Sequence, residues 1–168
     1  MHIIIDGYNM IRQSPHLRQH ERSSLEEGRH ALIRFLHGQL AGSRHRITVV
    51  FDGWKEGAPQ LERDRLLGID LLYSPRGVKA DEVIKEMAAR AGEEIIVVTS
   101  DREVATFVER RGGTALPSEA FESFLLERRA KRRDGEEAAE EERGKKKKGP
   151  ARRLSRRERL QRQRLAKL

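Results

Sequence analysis

Three short, almost wholly apolar runs punctuate the first hundred residues: Ile3-Ile4-Ile5, Ile47-Thr48-Val49-Val50-Phe51 and Ile95-Ile96-Val97-Val98. Each ends abruptly in polar residues, at Asp6-Gly7, Asp52-Gly53 and Thr99-Ser100-Asp101 respectively. Runs of this length without alternation read as strands buried on both faces, the pattern of a parallel sheet. Each strand therefore delivers a carboxylate to its carboxyl end.

Between the strands the pattern changes to a helical period. A polar segment around Pro15 separates the first strand from a helix that starts at Ser24 and Glu27, the spacing of a capping box. Leu25, Leu32, Phe35, Leu36 and Leu40 give that helix one apolar face, and Gly42 is its expected stop. The stretch 54–68 reads as loop with at most a short helix, and Ile69-Asp70-Leu71-Leu72-Tyr73 as a third strand. A helix beginning at Asp81 places Val83, Ile84, Met87, Ala88 and Ala91 in one arc.

The fourth strand, 95–99, leads to a helix for which Ser100 and Glu103 have capping-box spacing and Gly112-Gly113 supply the end. Thr114-Ala115-Leu116 is a short fifth strand, and Ser118 caps a helix carrying Phe121, Phe124 and Leu125. Alternating strands and helices predict an α/β domain with a mostly parallel sheet of four or five strands, covered on both faces. In such sheets ligands lie beyond the carboxyl ends of the strands. With the five predicted strands in the order 3-2-1-4-5, Asp6, Asp52 and Asp101 converge there.

Charge divides the chain. Residues 1–128 hold 18 Lys+Arg against 20 Asp+Glu, and residues 129–168 hold 17 against 7, so the net +8 is owed entirely to the last quarter. The division predicts a domain over 1–128 and a charged tail over 129–168, disordered alone or helical on binding. Its lysine run at Lys145, Lys146, Lys147 and Lys148 and the arginines Arg152, Arg153, Arg156 and Arg157 point to nucleic acid or another polyanion. Cysteine is absent, which removes disulfides, thiolate metal sites and cysteine catalysis. No apolar run approaches the length of a membrane helix and no signal peptide precedes the first strand, so a cytoplasmic location is expected.

Clustered carboxylates without Cys or a His set favour a hard cation with oxygen ligands, Mg²⁺ or Mn²⁺. Such an ion activates water for in-line attack on phosphorus. Asp81, at the start of its helix, supplies a fourth carboxylate and Glu82 a fifth. Asn9, Thr99 and Ser100 would orient water or phosphate. Each acid also has a plain structural reading: Asp-Gly is a turn signal, and Asp81 and Asp101 are ordinary helix-start residues. Tyr8 and Trp54 lie just past strand ends, where an aromatic either stacks on a base or packs the rim. Arg76, Lys79 and Arg102 flank the same end and are candidates to grip phosphates. His16 and His20 have helical i, i+4 spacing but no surrounding zinc motif, and read as solvent-facing. Dinucleotide-binding, P-loop and serine-hydrolase motifs are absent.

Ile-Ile-Asp-Gly-Tyr-Asn-Met-Ile at 4–11, Val-Val-Phe-Asp-Gly at 49–53, Lys-Ala-Asp-Glu-Val-Ile at 79–84 and Val-Val-Thr-Ser-Asp at 97–101 resemble, in order and spacing, the NYN domain nucleases of the YacP-like branch. The resemblance covers residues 1–128 and implies a Rossmann-like fold, related to PIN-domain nucleases, that cleaves RNA with a divalent metal through clustered acids. It assigns Asp6, Asp52, Asp81 and Asp101 to the acidic site and Asn9 to its polar motif residue. Asp6, Asp81 and Asp101 are the expected metal ligands, with the role of Asp52 open between ligand and orienting group. The expectation is a metal-dependent endoribonuclease acting on RNA, with mRNA or the ribosome as candidate partners. The alternatives are a non-catalytic RNA- or ribosome-binding adaptor, and a DNA nuclease or phosphatase using the same acids.

Overall fold

A computed structural model of the protein describes residues 1–40, 42–53, 58–92 and 94–141, the side chains of 132–141 excepted. In chain order its elements are β1 (His2–Asp6), α1 (Gly7–Gln13), α2 (Pro15–Glu21), α3 (Leu25–Leu40), β2 (Arg46–Phe51), β3 (Glu62–Leu66) and β4 (Ile69–Tyr73). There follow α4 (Ala80–Arg90), β5 (Ile95–Val98), α5 (Arg102–Arg110), β6 (Thr114–Leu116) and α6 (Ser118–Glu141). The strands form one sheet in the order β3-β4-β2-β1-β5-β6. Every pairing is parallel except β3 with β4.

The five strands expected from sequence take the expected order. Every residue of β1 is buried, as is all of β5, as suits strands covered on both faces. Register then splits the apolar runs between two cores, because successive side chains point to opposite faces. Ile3, Ile5, Val49, Phe51, Ile96 and Val98 face a core closed by Met10, Ile11, Leu17, Leu32, Leu36 and Phe121 from α1, α2, α3 and α6. Ile4, Val50, Ile95 and Val97 face a second core built with Val83 and Ile84 of α4 and Val104 and Val108 of α5. Full burial of one such side chain contributes about 1.5–3 kcal/mol.

The structure departs from the sequence reading in several places. The polar segment around Pro15 is two short helices: the Asp6 carboxylate accepts from the Asn9 N–H at the start of α1, and Ser14 Oγ accepts from the Leu17 N–H at the start of α2. Ser14-Pro15 is a cap followed by proline at the first helical position, a start signal that the surrounding polarity obscured. Within the stretch read as loop, Glu62–Leu66 forms β3, all five residues exposed. Having no alternation, it is a strand because β4 offers it an edge, and its charges suit an outermost position. The hairpin turns through Leu67 and Gly68 at φ 52° and 82°. This pair of left-handed residues matches the twist of the flanking strands.

The start of α3 has the expected cap, Ser24 Oγ accepting from the Glu27 N–H at 3.0 Å, and Gly42 follows the helix at φ 79°. α5 is capped by Asp101 rather than Ser100, and Ser118 stands inside α6 instead of capping it. α6 continues to Glu141, past residue 128 where composition set the domain boundary. The basic run from Lys145 to Arg157 and the aromatic Trp54 lie outside the described residues. No helix among the described residues is long and apolar enough to cross a membrane.

Candidate active site

The carboxyl ends of β1, β2 and β5 lie side by side, and the residues that leave them meet through hydrogen bonds. Asp6, only 7% exposed, closes β1. Its Oδ1 accepts from the Asn9 N–H at 3.1 Å and its Oδ2 from the Thr99 hydroxyl at 3.3 Å. Thr99 Oγ1 in turn accepts from the Asp101 N–H at 3.1 Å, which ties the end of β5 to the end of β1. Asp52, after β2, reaches across to α4, where its Oδ1 accepts from the Ala80 N–H at 2.7 Å. Asp81 is the next residue on that helix. Asp101 caps α5 through Oδ1, which accepts from the N–H groups of Glu103 and Val104 at 2.7 and 3.0 Å.

Strand alternation explains why these acids share a side. Phe51 faces the core beneath α3, so Asp52 turns the other way, toward α4, and Asp6 does the same after Ile5. Helices α4 and α5 begin on that side, bringing Asp81 and Asp101 to it. The charges of the four act on one another. Burial, with the charges of Asp81 and Asp52 added, pushes the Asp6 pKa up to about 6, against the opposing bonds from Asn9 and Thr99. Asp81 is also raised, first by burial and then by Asp101 and Asp52, while Lys85 and Lys79 pull it back.

Among the described residues, no three His, Asp or Glu side chains are drawn together closely enough to hold one ion as they stand. The four aspartates are interacting charges without a closed ligand shell. Asp52 and Asp101 are each engaged with helix N–H groups instead. The donor set is nonetheless all carboxylate oxygen, which suits a cation that retains most of its waters and takes only one or two protein ligands directly.

Asn9 and Ser100 are engaged in structure. Asn9 Oδ1 accepts from the Ser100 N–H at 3.0 Å and from the Ser118 hydroxyl at 2.8 Å, and Ser100 Oγ accepts from the Ser118 N–H at 3.3 Å. Asn9 thus locks α1, the β5–α5 loop and the start of α6 to one another. Ser118 was missed as a member of this site because its position after Pro117 reads only as a helix start. Arg76, Lys79 and Arg102 are exposed near the same ends, Lys79 close enough to act on Asp81.

Tyr8 is not an open stacking platform. It is 6% exposed, packed edge-on to Phe51 with centroids 5.3 Å apart, and its hydroxyl accepts from Arg29 Nε at 2.8 Å. Of the two readings, rim packing is the one realised. His16 and His20 sit on α2 with their rings 5.6 Å apart, the first exposed and the second half-buried. A cavity of about 460 Å³ lies at the opposite end of the sheet, lined by His2, Arg46, Thr48, Asp70 and Arg90. The four interacting aspartates are all at the carboxyl ends, and the candidate site is placed there.

Known proteins resemble this chain along most of its length. The model of the YacP-like NYN domain matches residues 3–167, well beyond the segment carrying the four motifs. YacP of Bacillus subtilis is 29% identical over 103 residues, a match spanning 59% of this chain and 59% of that protein, so the chain spans less than two thirds of that relative's length in this match. The crystal structure of Rae1 (YacP) from Bacillus subtilis superposes with a TM-score of 0.62 at 25% identity, covering 84% of this chain and 83% of that one. The crystal structure of a point mutant of the same Bacillus subtilis protein gives 0.62 at 24% identity, over 89% and 87%. With the family match, the shared sheet and the aspartates at its carboxyl ends together, the chain belongs to the YacP-like NYN domain family.

Proposed function

We propose that this protein is a metal-dependent endoribonuclease that hydrolyses RNA phosphodiester bonds at the aspartate cluster. The observation that carries the reading is Asp6: a nearly buried carboxylate held beside Asp81 and Asp52, whose combined burial and repulsion a bound cation would offset. Membership of the NYN domain family, which includes nucleases, supports the same chemistry. Asp6, Asp81 and Asp101, helped by Asp52, would hold Mg²⁺ or Mn²⁺. Bound there, the ion would supply an activated water and charge stabilisation at phosphorus.

The chain's own residues prepare the rest. Asn9, Thr99 and Ser118 hold the β5–α5 loop against α1, so that Asp101 and Asp6 keep a constant relation. Asp52 aims the first turn of α4, and with it Asp81. Exposed Arg76, Lys79 and Arg102 would attract backbone phosphates, and the basic tail would add affinity that falls with salt. RNA is the proposed substrate, with mRNA or the ribosome as the setting and the cytoplasm as the compartment.

A second reading has a specific observation in its favour. Asp6, Asp52 and Asp101 each accept helix N–H groups, as they would in a non-catalytic RNA- or ribosome-binding adaptor. The deciding experiment compares labelled RNA and single-stranded DNA with the intact protein and Asp6→Asn, each in Mg²⁺, Mn²⁺ and chelator. Cleavage of RNA that needs metal and is lost in the variant is the expected result. Tight RNA binding without product in either metal favours the adaptor. Equal cutting of DNA keeps the site and changes the substrate.

A further inference from the structure

On the other side of the same rim a cation is held in an unusual setting. Arg29, on α3, donates through Nε to the Tyr8 hydroxyl at 2.8 Å. Its guanidinium carbon lies 5.6 Å from the centroid of the Tyr8 ring, 5.8 Å from that of Phe51 and 5.4 Å from that of Tyr73. The rings brace one another, Phe51 edge-on to Tyr8 at 5.3 Å and stacked on Tyr73 at 5.7 Å. Burial raises the Tyr73 phenol pKa, and the charge and hydrogen bonding of Arg29 pull it back. Arg29 is half-buried, and among the described residues no carboxylate forms an ion pair with it. By contrast Arg12, whose guanidinium carbon is 5.3 Å from the same Tyr8 centroid, is paired with Glu21 at 3.5 Å.

A merely structural cover for three rings needs no charge. An aliphatic side chain would pack there without desolvating a guanidinium that lacks an anion. The cradle instead fixes the position of the guanidinium: the Tyr8 hydroxyl takes Nε–H, Tyr73 takes a further hydrogen bond, and three ring centroids stand 5.4–5.8 Å away, so that the remaining N–H groups are left for an anion. Its location specifies the anion. Phe51 immediately precedes Asp52, Tyr8 is two residues beyond Asp6, and Tyr73 ends β4, so the cradle and the acids occupy opposite sides of one sheet edge.

We propose that Arg29 is a phosphate anchor for single-stranded RNA, gripping a backbone phosphate across the sheet's rim from the acidic cluster and so setting which bond lies over the acids. The proposal rests on the ribonuclease reading for its substrate. Its test is made without catalysis. Binding of a fluorescein-labelled oligouridine to the full chain is followed by anisotropy in chelator over a range of salt, for the unaltered protein, Arg29→Gln and Arg29→Lys.

Arg29→Gln should weaken binding roughly tenfold and reduce the slope of log affinity against log salt by about 0.7, the effect of one phosphate contact on a single strand. Arg29→Lys should restore the slope but not the whole affinity, because the charge returns without the fork. Unchanged affinity and slope in Arg29→Gln would overturn the proposal. If that variant does not fold, the unaltered protein decides: the Arg29 Nε–H resonance, sheltered by Tyr8, should shift with RNA at the midpoint of binding, and an unmoved resonance overturns the anchor. A protein that binds through Arg29 yet cuts nothing in Mg²⁺ or Mn²⁺ keeps the anchor and loses the nuclease reading.

Discussion

The Asp52 carboxylate accepts a hydrogen bond from the backbone N–H of Ala80, 2.7 Å away and 28 residues further along the chain. Lys79, at the capping position of α4, makes no side-chain cap bond, so an acid from β2 does that work from a distance. The bond sets where the first turn of α4 begins and therefore where Asp81 stands relative to Asp6. Replacing Asp52 by Ala leaves the Ala80 N–H without this acceptor and should lower stability by about 1–2 kcal/mol. Asp52→Asn keeps an acceptor and should recover most of that loss in urea unfolding. Both variants should cut RNA more slowly, Asp52→Ala more so. Equal stability of Asp52→Ala and the unaltered protein would remove Asp52 from this positioning role.

Asp6 makes metal-free stability fall as pH rises. Its pKa is about 6 in the folded protein against an ordinary 3.8, so between these values the folded state binds more protons than the unfolded one. Stability then decreases across that window and the penalty is complete above it, about 3 kcal/mol by the size of the gap. Asp6→Asn should therefore be more stable than the unaltered protein at pH 7.5, with the advantage shrinking to little near pH 4. Thermal melts in chelator across this range check the sign. Added Mg²⁺ should raise the melting temperature of the unaltered protein at pH 7.5 and leave Asp6→Asn nearly unmoved.

Gly7 is demanded by its neighbour. A Cβ there would stand 2.3 Å from Cε1 of Phe51, whose ring is fully buried between Tyr8 and Tyr73. Gly7→Ala must displace that ring or the start of α1, at about 1–3 kcal/mol. Near-ultraviolet circular dichroism should report the altered tyrosine surroundings together with the lower melting temperature.

The Asn9 carbonyl holds two partners, and its removal should be felt at both. Asn9→Ala leaves the Ser100 N–H and the Ser118 hydroxyl without their acceptor, a loss of about 1–3 kcal/mol, and loosens the loop that carries Asp101. Ser118→Ala removes only the second bond and should cost about 1 kcal/mol. Amide exchange at Ser100 should quicken markedly in the first variant and slightly in the second.

Deleting residues 142–168 removes thirteen Lys+Arg against two Asp+Glu. RNA affinity and its salt slope should both fall, while metal-dependent cleavage at saturating RNA should persist. Fluorescence anisotropy against salt, with cleavage measured in parallel, separates the two effects. An unchanged slope would assign the basic segment to a different partner.

Much of this site was legible along the chain, for reasons that are local. An apolar run ending in Asp-Gly marks a buried strand and its carboxylate end without reference to anything distant. Three such runs separated by helical periods leave few ways to wind a parallel sheet. With the strands in the assumed order, Asp6, Asp52 and Asp101 come to one end, and the start of α4 adds Asp81. The short helices α1 and α2 were harder to read because their stabilising faces are brief and their caps, Asp6 and Ser14, stand in a polar segment. β3 has no apolar signal of its own and exists through its pairing with β4.

The sequence by itself determined the architecture, the end of the sheet that carries the acids and the family to which the chain belongs, since each depends on short-range pattern. Only the tertiary structure decided how those residues are used. Asp52 caps a helix 28 residues away, Asn9 holds Ser100 and Ser118 from 91 and 109 residues before them, and Arg29 rests on rings from two strands and a helix. These relations depend on which face of each strand its neighbours occupy, and that is settled when the two cores close and their side chains pack.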